Sequence, residues 1–167
     1  SREIPKTRSE LADGLYQVIS NGVTDPVEAL RMLETSARSS VGGIADLGKV
    51  VGVTSTILKN YGLGAEEAAT IQDKIQKTAQ NGVTSFEQLA SALPSVTANA
   101  ATLGVTVDEM LAVFATLTGV TGNTSEVATQ LGAVLTALTK PSSQAAQMAE
   151  EMGIQFDAAV VKTAGGL

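Results

Sequence analysis

No histidine, cysteine or tryptophan occurs in the 167 residues. Imidazole and thiolate metal sites, Ser-His-Asp and Cys-His nucleophile chemistry, and disulfide staples are therefore excluded. With no cysteine, nothing in the chain reports its redox compartment. Aromatic side chains are scarce: Tyr16, Tyr61, Phe86, Phe114 and Phe156 are too few for a base-stacking platform. No run of 18 apolar residues occurs. Val41–Leu58, the most apolar stretch, contains Asp46, Lys49 and four glycines, which argues against a membrane span. No secretory signal is visible, and a start at Ser1 with an Ala-Gly-Gly-Leu end reads as a segment of something longer.

Positive charge is short in one half. Residues 1–60 hold seven basic and seven acidic side chains, and residues 61–167 hold four basic and ten acidic, for a net charge of −6. An acidic body repels phosphate backbones, so specific nucleic-acid binding is not expected beyond a local contact through Arg2, Lys6 and Arg8.

What is present is helix punctuation. Leu11, Leu15, Val18 and Ile19 recur at helical spacing until Asn21-Gly22 stops them. Asp25-Pro26-Val27-Glu28 reads as a helix start: a side-chain acceptor, a proline where no donor is needed, and a glutamate placed to close a capping box. That helix is predicted to reach about Ser40. A third is predicted over Ala45–Tyr61, with Gly48 and Gly52 marking a break near Val53. A fourth is predicted over Ala65–Gln80. Thr84-Ser85-Phe86-Glu87 repeats the capping-box start, Pro94 ends or restarts that helix, and Thr106 opens another. Gly119 to Gly122 reads as a turn, Thr124 or Ser125 opens the next helix, and Lys140-Pro141-Ser142 reads as a helix-to-helix turn before a last helix ending at Gly153. No stretch alternates with period two for long enough to make a sheet. The fold class is all-α, with eight or nine short-to-medium helices and Gly/Pro-punctuated turns.

The punctuation also repeats. Asn21-Gly22-Val23-Thr24 recurs as Asn81-Gly82-Val83-Thr84, and Leu11, Asp13 and Leu15 match Ile71, Asp73 and Ile75, all 60 positions on. Further along, Val27, Glu28 and Leu30 match Phe86, Glu87 and Leu89 at 59. This suggests tandem multi-helix units of about 60 residues, 9–68 and 69–128, with a third cycle starting near Leu131.

Chemistry-bearing patterns are weak. Glu66-Glu67, Asp108-Glu109 and Glu150-Glu151 are adjacent pairs, and neighbours on a helix point about 100° apart, so they do not converge on a substrate. Glu66-Glu67 and Asp108-Glu109 stand in first helical turns, where acidic residues suit the helix dipole. Gly62-Leu63-Gly64 precedes a helix but lacks the preceding strand and following Lys-Ser/Thr of a phosphate loop, so it reads as a turn. Small-residue faces recur at Ser36-Ala37, Ser39-Ser40, Ala98 to Thr102 and Gln144 to Ala149. They serve equally a tightly packed monomer core or association between copies. No catalytic, cofactor-binding or metal-binding residue is assigned, and no enzymatic activity is expected.

The ordered series of segments resembles a known family. Leu11-Ala-Asp-Gly-Leu-Tyr16, Ser20-Asn-Gly-Val-Thr24 and Val27-Glu-Ala-Leu30 are similar to the conserved core of phage tail tape measure proteins of the TP901 type. So are Ile44-Ala-Asp-Leu47, Leu58-Lys-Asn-Tyr-Gly62, Ile71-Gln-Asp-Lys74 and Phe86-Glu-Gln-Leu89. The most characteristic stretch runs from Ala101-Thr-Leu-Gly-Val-Thr-Val-Asp-Glu-Met110 through Leu117-Thr118. It continues into Ser125-Glu-Val-Ala-Thr-Gln-Leu131, Leu138-Thr-Lys-Pro141 and Met152-Gly153. The Val120 to Thr124 turn departs from the family pattern. The resemblance implies an N-terminal extension over 1–8, a helical core module over 9–156 and a C-terminal tail over 157–167. It implies a structural role in tail assembly and tail-length determination, inside the tail tube of a phage or prophage virion and in the host cytoplasm during assembly. The implied partners are other copies, the tail tube protein, tail assembly chaperones and tail tip proteins. The contrasting reading from the residues alone is a non-phage helical adaptor that binds partner helices; a carboxylate hydrolase is a distant third.

If Asp25 and Thr84 are equivalent caps, Asp25→Ala and Thr84→Ala should each cost about 0.5–2 kcal/mol, a melting-point drop of a few degrees.

Overall fold

The computed structural model describes residues 4–153 and 158–163. Arg2, Phe156 and, in the 157–167 tail, residues 157 and 164–167 lie outside the described residues. Helices dominate, and no strand occurs among the described residues. In order they are α1 (Arg8–Ser20), α2 (Pro26–Gly42), α3 (Leu47–Tyr61), α4 (Ala68–Asn81), α5 (Phe86–Ala92), α6 (Pro94–Thr102), α7 (Val107–Thr121), α8 (Thr124–Thr139), α9 (Ser143–Glu151) and α10 (Ala158–Thr163). A single 3-10 turn, Ala65–Glu67, leads into α4. Leu93 keeps helical backbone (φ −55°, ψ −40°), so α5 and α6 form one rod bent at Pro94.

Side-chain caps set most of the helix starts. Thr7 and Glu10 close a capping box on α1, and Thr106 and Glu109 close one on α7. Asp46, Asn123 and Ser142 cap α3, α8 and α9 through single side-chain acceptors. On α2, Asp25 accepts from both Val27 N and Glu28 N at 2.9 Å. Glu28 does not close the expected box; the Asp25 carboxylate alone takes the two free amides of the first turn.

The expected cap at Thr84 is corrected. Ser85 is the cap of α5, and its box partner is Gln88, whose Oε1 accepts from Ser85 N at 3.0 Å. Thr84 instead meets Thr124 through their hydroxyls at 2.6 Å, tying the α4–α5 loop to α8. Asp25 therefore corresponds to Ser85, and the spacing stays at 60 rather than slipping to 59. The starts of α2 and α3 recur, 60 positions later, as the starts of α5 and α7. Asp46 and Thr106 cap at that spacing, and Gly62 and Gly122 end helices in the left-handed region at φ 64° and 67°.

Other boundaries also move. Helix α3 runs unbroken from Leu47, two residues late, because Val50, Val51, Val53 and Ile57 bury one continuous stripe that outweighs its two glycines. The turn expected at Gly119 to Gly122 shrinks to Gly122, since α7 continues to Thr121. Thr118, donating to Phe114 O at 2.6 Å, is buried within that last stretch of helix. The last of these helices stops at Glu151, two residues before Gly153.

Packing forms one layered stack. Helices α1, α2 and α3 pack on one another. Helix α4 packs against α2, α3, α5 and α7. The α5–α6 rod packs on α3, and α8 closes over α5, α6 and α7. Phe86, Phe114, Met32, Ile57, Ile75, Leu89 and Leu93 are among the largest side chains fully inside. Gly14 lets α1 settle deeply: a Cβ there would lie 2.9 Å from Leu33 Cδ1 and 3.0 Å from Leu47 Cδ2.

One corner is strained. Ile44, just past α2, has φ 49°, the one positive φ outside glycine among the described residues. Gly104 holds the corresponding corner at φ 78°. A non-glycine residue in this region costs about 1–2 kcal/mol, partly offset because glycine frees the unfolded chain. Ile44→Gly should therefore stabilise the fold by about 0.5–1 kcal/mol, read as a melting point higher by about 1–4 °C in a thermal scan.

Candidate interaction surfaces

Between the helices, the stack is joined by a small set of polar ties. The deepest is Gln72 on α4, 1% exposed. Its Nε2 donates to Ser36 Oγ on α2 at 2.8 Å and to Thr54 Oγ1 on α3 at 3.1 Å. Its Oε1 accepts from Ser39 Oγ on α2 at 2.7 Å. Both amide hydrogens and the carbonyl are used, so the burial of this polar group is compensated. Asn60 donates to Thr97 at 2.8 Å between α3 and α6, and Asn99 donates to Thr136 at 3.1 Å between α6 and α8. Glu87 on α5 accepts from Asp46 N at 2.9 Å and pairs with Lys49 on α3. Lys74 on α4 pairs with Asp108 on α7 at 2.8 Å. Ser36, Ala37 and Ser40 lie inside the core, so this small-residue face serves internal packing. The face at Gln144 to Ala149 is exposed except for Ala149.

The carboxylates are occupied in this framework. Backbone and hydroxyl groups of Thr7 and Thr106 hold Glu10 and Glu109 below the ordinary carboxylate range. The ammonium of Lys49, followed by the Asp46 amide, does the same for Glu87. Asp108 and Glu109 thus turn to different partners, as adjacent helical residues must. The Glu66 carboxylate folds back over Gly64, in the space a Cβ would fill, so the helix start after Gly62-Leu63-Gly64 faces the protein's own anion. Burial, with Glu109 nearby, pushes the Tyr61 hydroxyl up to about 12. Among the described residues no group of three or more acidic, His or Cys side chains is placed to hold a metal ion. No described helix is long and apolar enough to cross a membrane.

Large apolar side chains remain exposed. Tyr16 and Ile19 on α1, Val27 and Leu30 on α2, and Ile44 are exposed in the first third of the chain. Val120, Val134, Met148 and Met152 are exposed in its last third. Two grooves accompany them. One, about 510 Å³, runs beside the α1–α2 loop and includes Val23, Glu28, Ser55 and Lys59. The second, about 790 Å³, lies along α8 and the start of α9. Exposed apolar side chains, with several carboxylates held in caps and interhelical ties, mark surfaces suited to contact with other proteins.

Comparison with known families agrees. The chain belongs to the phage-related minor tail proteins, whose family model matches residues 1–166. A search of curated proteins finds no match, and neither does a search of solved structures. Membership supports a structural role in the phage tail and association with other tail components.

The sequence alone does not single out Gln72, although it stands beside Ile71 and Ile75 on the buried stripe of α4. A lone glutamine carries no pattern of its own; the signal was its position on the apolar stripe. Gln72→Ala should leave three hydroxyls short of a partner and open a cavity. We expect a loss of about 2–3 kcal/mol, measured by urea unfolding as a lower midpoint at unchanged slope.

Proposed function

We propose that this chain is a module of a tail tape measure protein, a structural element around which the tail tube is assembled and whose length contributes to tail length. The observation that carries this reading is the coincidence of family membership with helix starts, caps and corners that recur at 60-residue spacing. A length standard is naturally built from units of fixed size that add without disturbing one another. In this reading residues 9–68 and 69–128 are successive units within a core over 9–156, flanked by 1–8 and 157–167. The module works in the tail tube lumen, in several copies, beside the tube protein, tail assembly chaperones and tail tip proteins. It acts by contact and carries out no catalysis. A surface of net charge −6 suits a protein that shares its compartment with DNA without adhering to it.

The test is a length measurement. Residues 26–85 can be excised in frame from the phage gene, which joins the α1–α2 loop to α5 at the equivalent cap. Duplicating the same segment gives the opposite change. Electron micrographs should show tails shorter and longer respectively, by up to about 90 Å if the segment lies extended as helix at 1.5 Å per residue. Tails of unchanged length in both phages would overturn the reading.

A further inference from the structure

Ile44 sits on a backbone suited to glycine and exposes nearly all of its side chain. The corner is closed by Ala45 N donating to Ser40 O at 2.8 Å and Ile44 N to Val41 O at 3.4 Å. The corresponding corner is closed in the same way, by Val105 N to Ala100 O at 3.0 Å and Gly104 N to Ala101 O at 3.1 Å. There the bend residue is glycine. A β-branched residue in the left-handed region is strained, and at 89% exposure Ile44 gains almost nothing from burial. It is the most exposed of the large apolar side chains. Val41, three residues back and 41% exposed, widens the same knob. Strain retained at an exposed apolar residue, with no compensating contact in its own fold, points to a contact outside it.

A receiving surface lies near the other end of the chain. The groove along α8 and the start of α9 is lined by Gly132, Ala133, Thr136, Ala137, Leu138 and Ala145, with Lys140 also on its wall. Its short apolar walls suit a branched aliphatic side chain. The charges match as well: beside the corner Asp46 and Glu87 outnumber Lys49, which pairs with Glu87, while Lys140 is the one charged residue in the groove lining. In a protein whose net charge is −6, copies repel one another unless a local pairing of this kind aligns them.

We propose that the Val41–Ile44 corner of one copy seats in the α8–α9 groove of a second copy. The inference rests on the reading that the chain works in several copies. Knob and groove are different surfaces, so the contact is heterologous and propagates into rows of like-oriented copies unless the rotation closes a ring.

Ile44→Gly separates this contact from folding, because the substitution removes the knob while relieving the backbone. In sedimentation equilibrium the parent chain should gain mass with concentration. Ile44→Gly should bind about tenfold or more weakly, as expected for an isoleucine withdrawn from an apolar groove, while melting higher than the parent. Ala133→Trp, which fills the groove from an exposed helical position, should weaken association to the same degree. The chain has no cysteine, so pairing can be mapped directly. A chain carrying Ile44→Cys, mixed with one carrying Ala133→Cys, should cross-link under mild oxidation, whereas Leu30→Cys mixed with Ala133→Cys should not. A parent chain that associates equally well as Ile44→Gly would overturn the knob and leave the multi-copy reading standing. Cross-linking of Leu30→Cys in place of Ile44→Cys would also overturn it. A parent chain of single-copy mass at every concentration would overturn both.

Discussion

Helix α4 packs against helices that precede it and helices that follow it, and the amide of Gln72 fixes how it sits against those before it. Apolar contacts alone would hold α4 against α2 and α3 in several rotations, because aliphatic and small side chains interdigitate in more than one way. A buried amide removes that freedom. Turning α4 by one position would strand both its hydrogens and its carbonyl away from Ser36, Thr54 and Ser39. The placement of α7 follows through its contact with α4, while α5 packs on both α3 and α4.

The remaining ties are of a different kind. Asn60 with Thr97, Asn99 with Thr136, Lys49 with Glu87, and Lys74 with Asp108 are half-buried or exposed. Exposed pairs of this sort contribute little stability each. Their effect is to select register: each joins helices from different parts of the chain and marks one relative position as correct. Stability comes from the aliphatic core and the caps, and specificity comes from scattered polar contacts.

The all-α class was legible because its signals are local. Asp25-Pro26, Asn21-Gly22 and Thr106 with Glu109 act within four residues, and the structure uses each of them. The errors arose where two local signals competed. Thr84 and Ser85 are both good caps, and only the contact of Thr84 with Thr124, far along the chain, decides between them. Glu87 looked like a box partner but is claimed by Lys49 on another helix. Gly48, Gly52 and Gly119 looked like breaks, yet tertiary burial of the neighbouring stripes carries α3 and α7 through them. The interaction surfaces were less legible still. Nothing in the sequence marks Ile44 as strained, because its backbone angle is a property of the corner and not of the residue.

The position of α4 has a mechanical consequence. One buried core runs from Val18 on α1 to Leu135 on α8, and α3 reaches α4, α5 and α6 directly, so the inner helices carry load together. Tension applied to the two ends reaches the outermost helices first. At the N-terminal end this is α1, held by the close fit of Gly14 against Leu33 and Leu47. An outer helix can peel while the shared core holds, and that core is the template on which it re-forms.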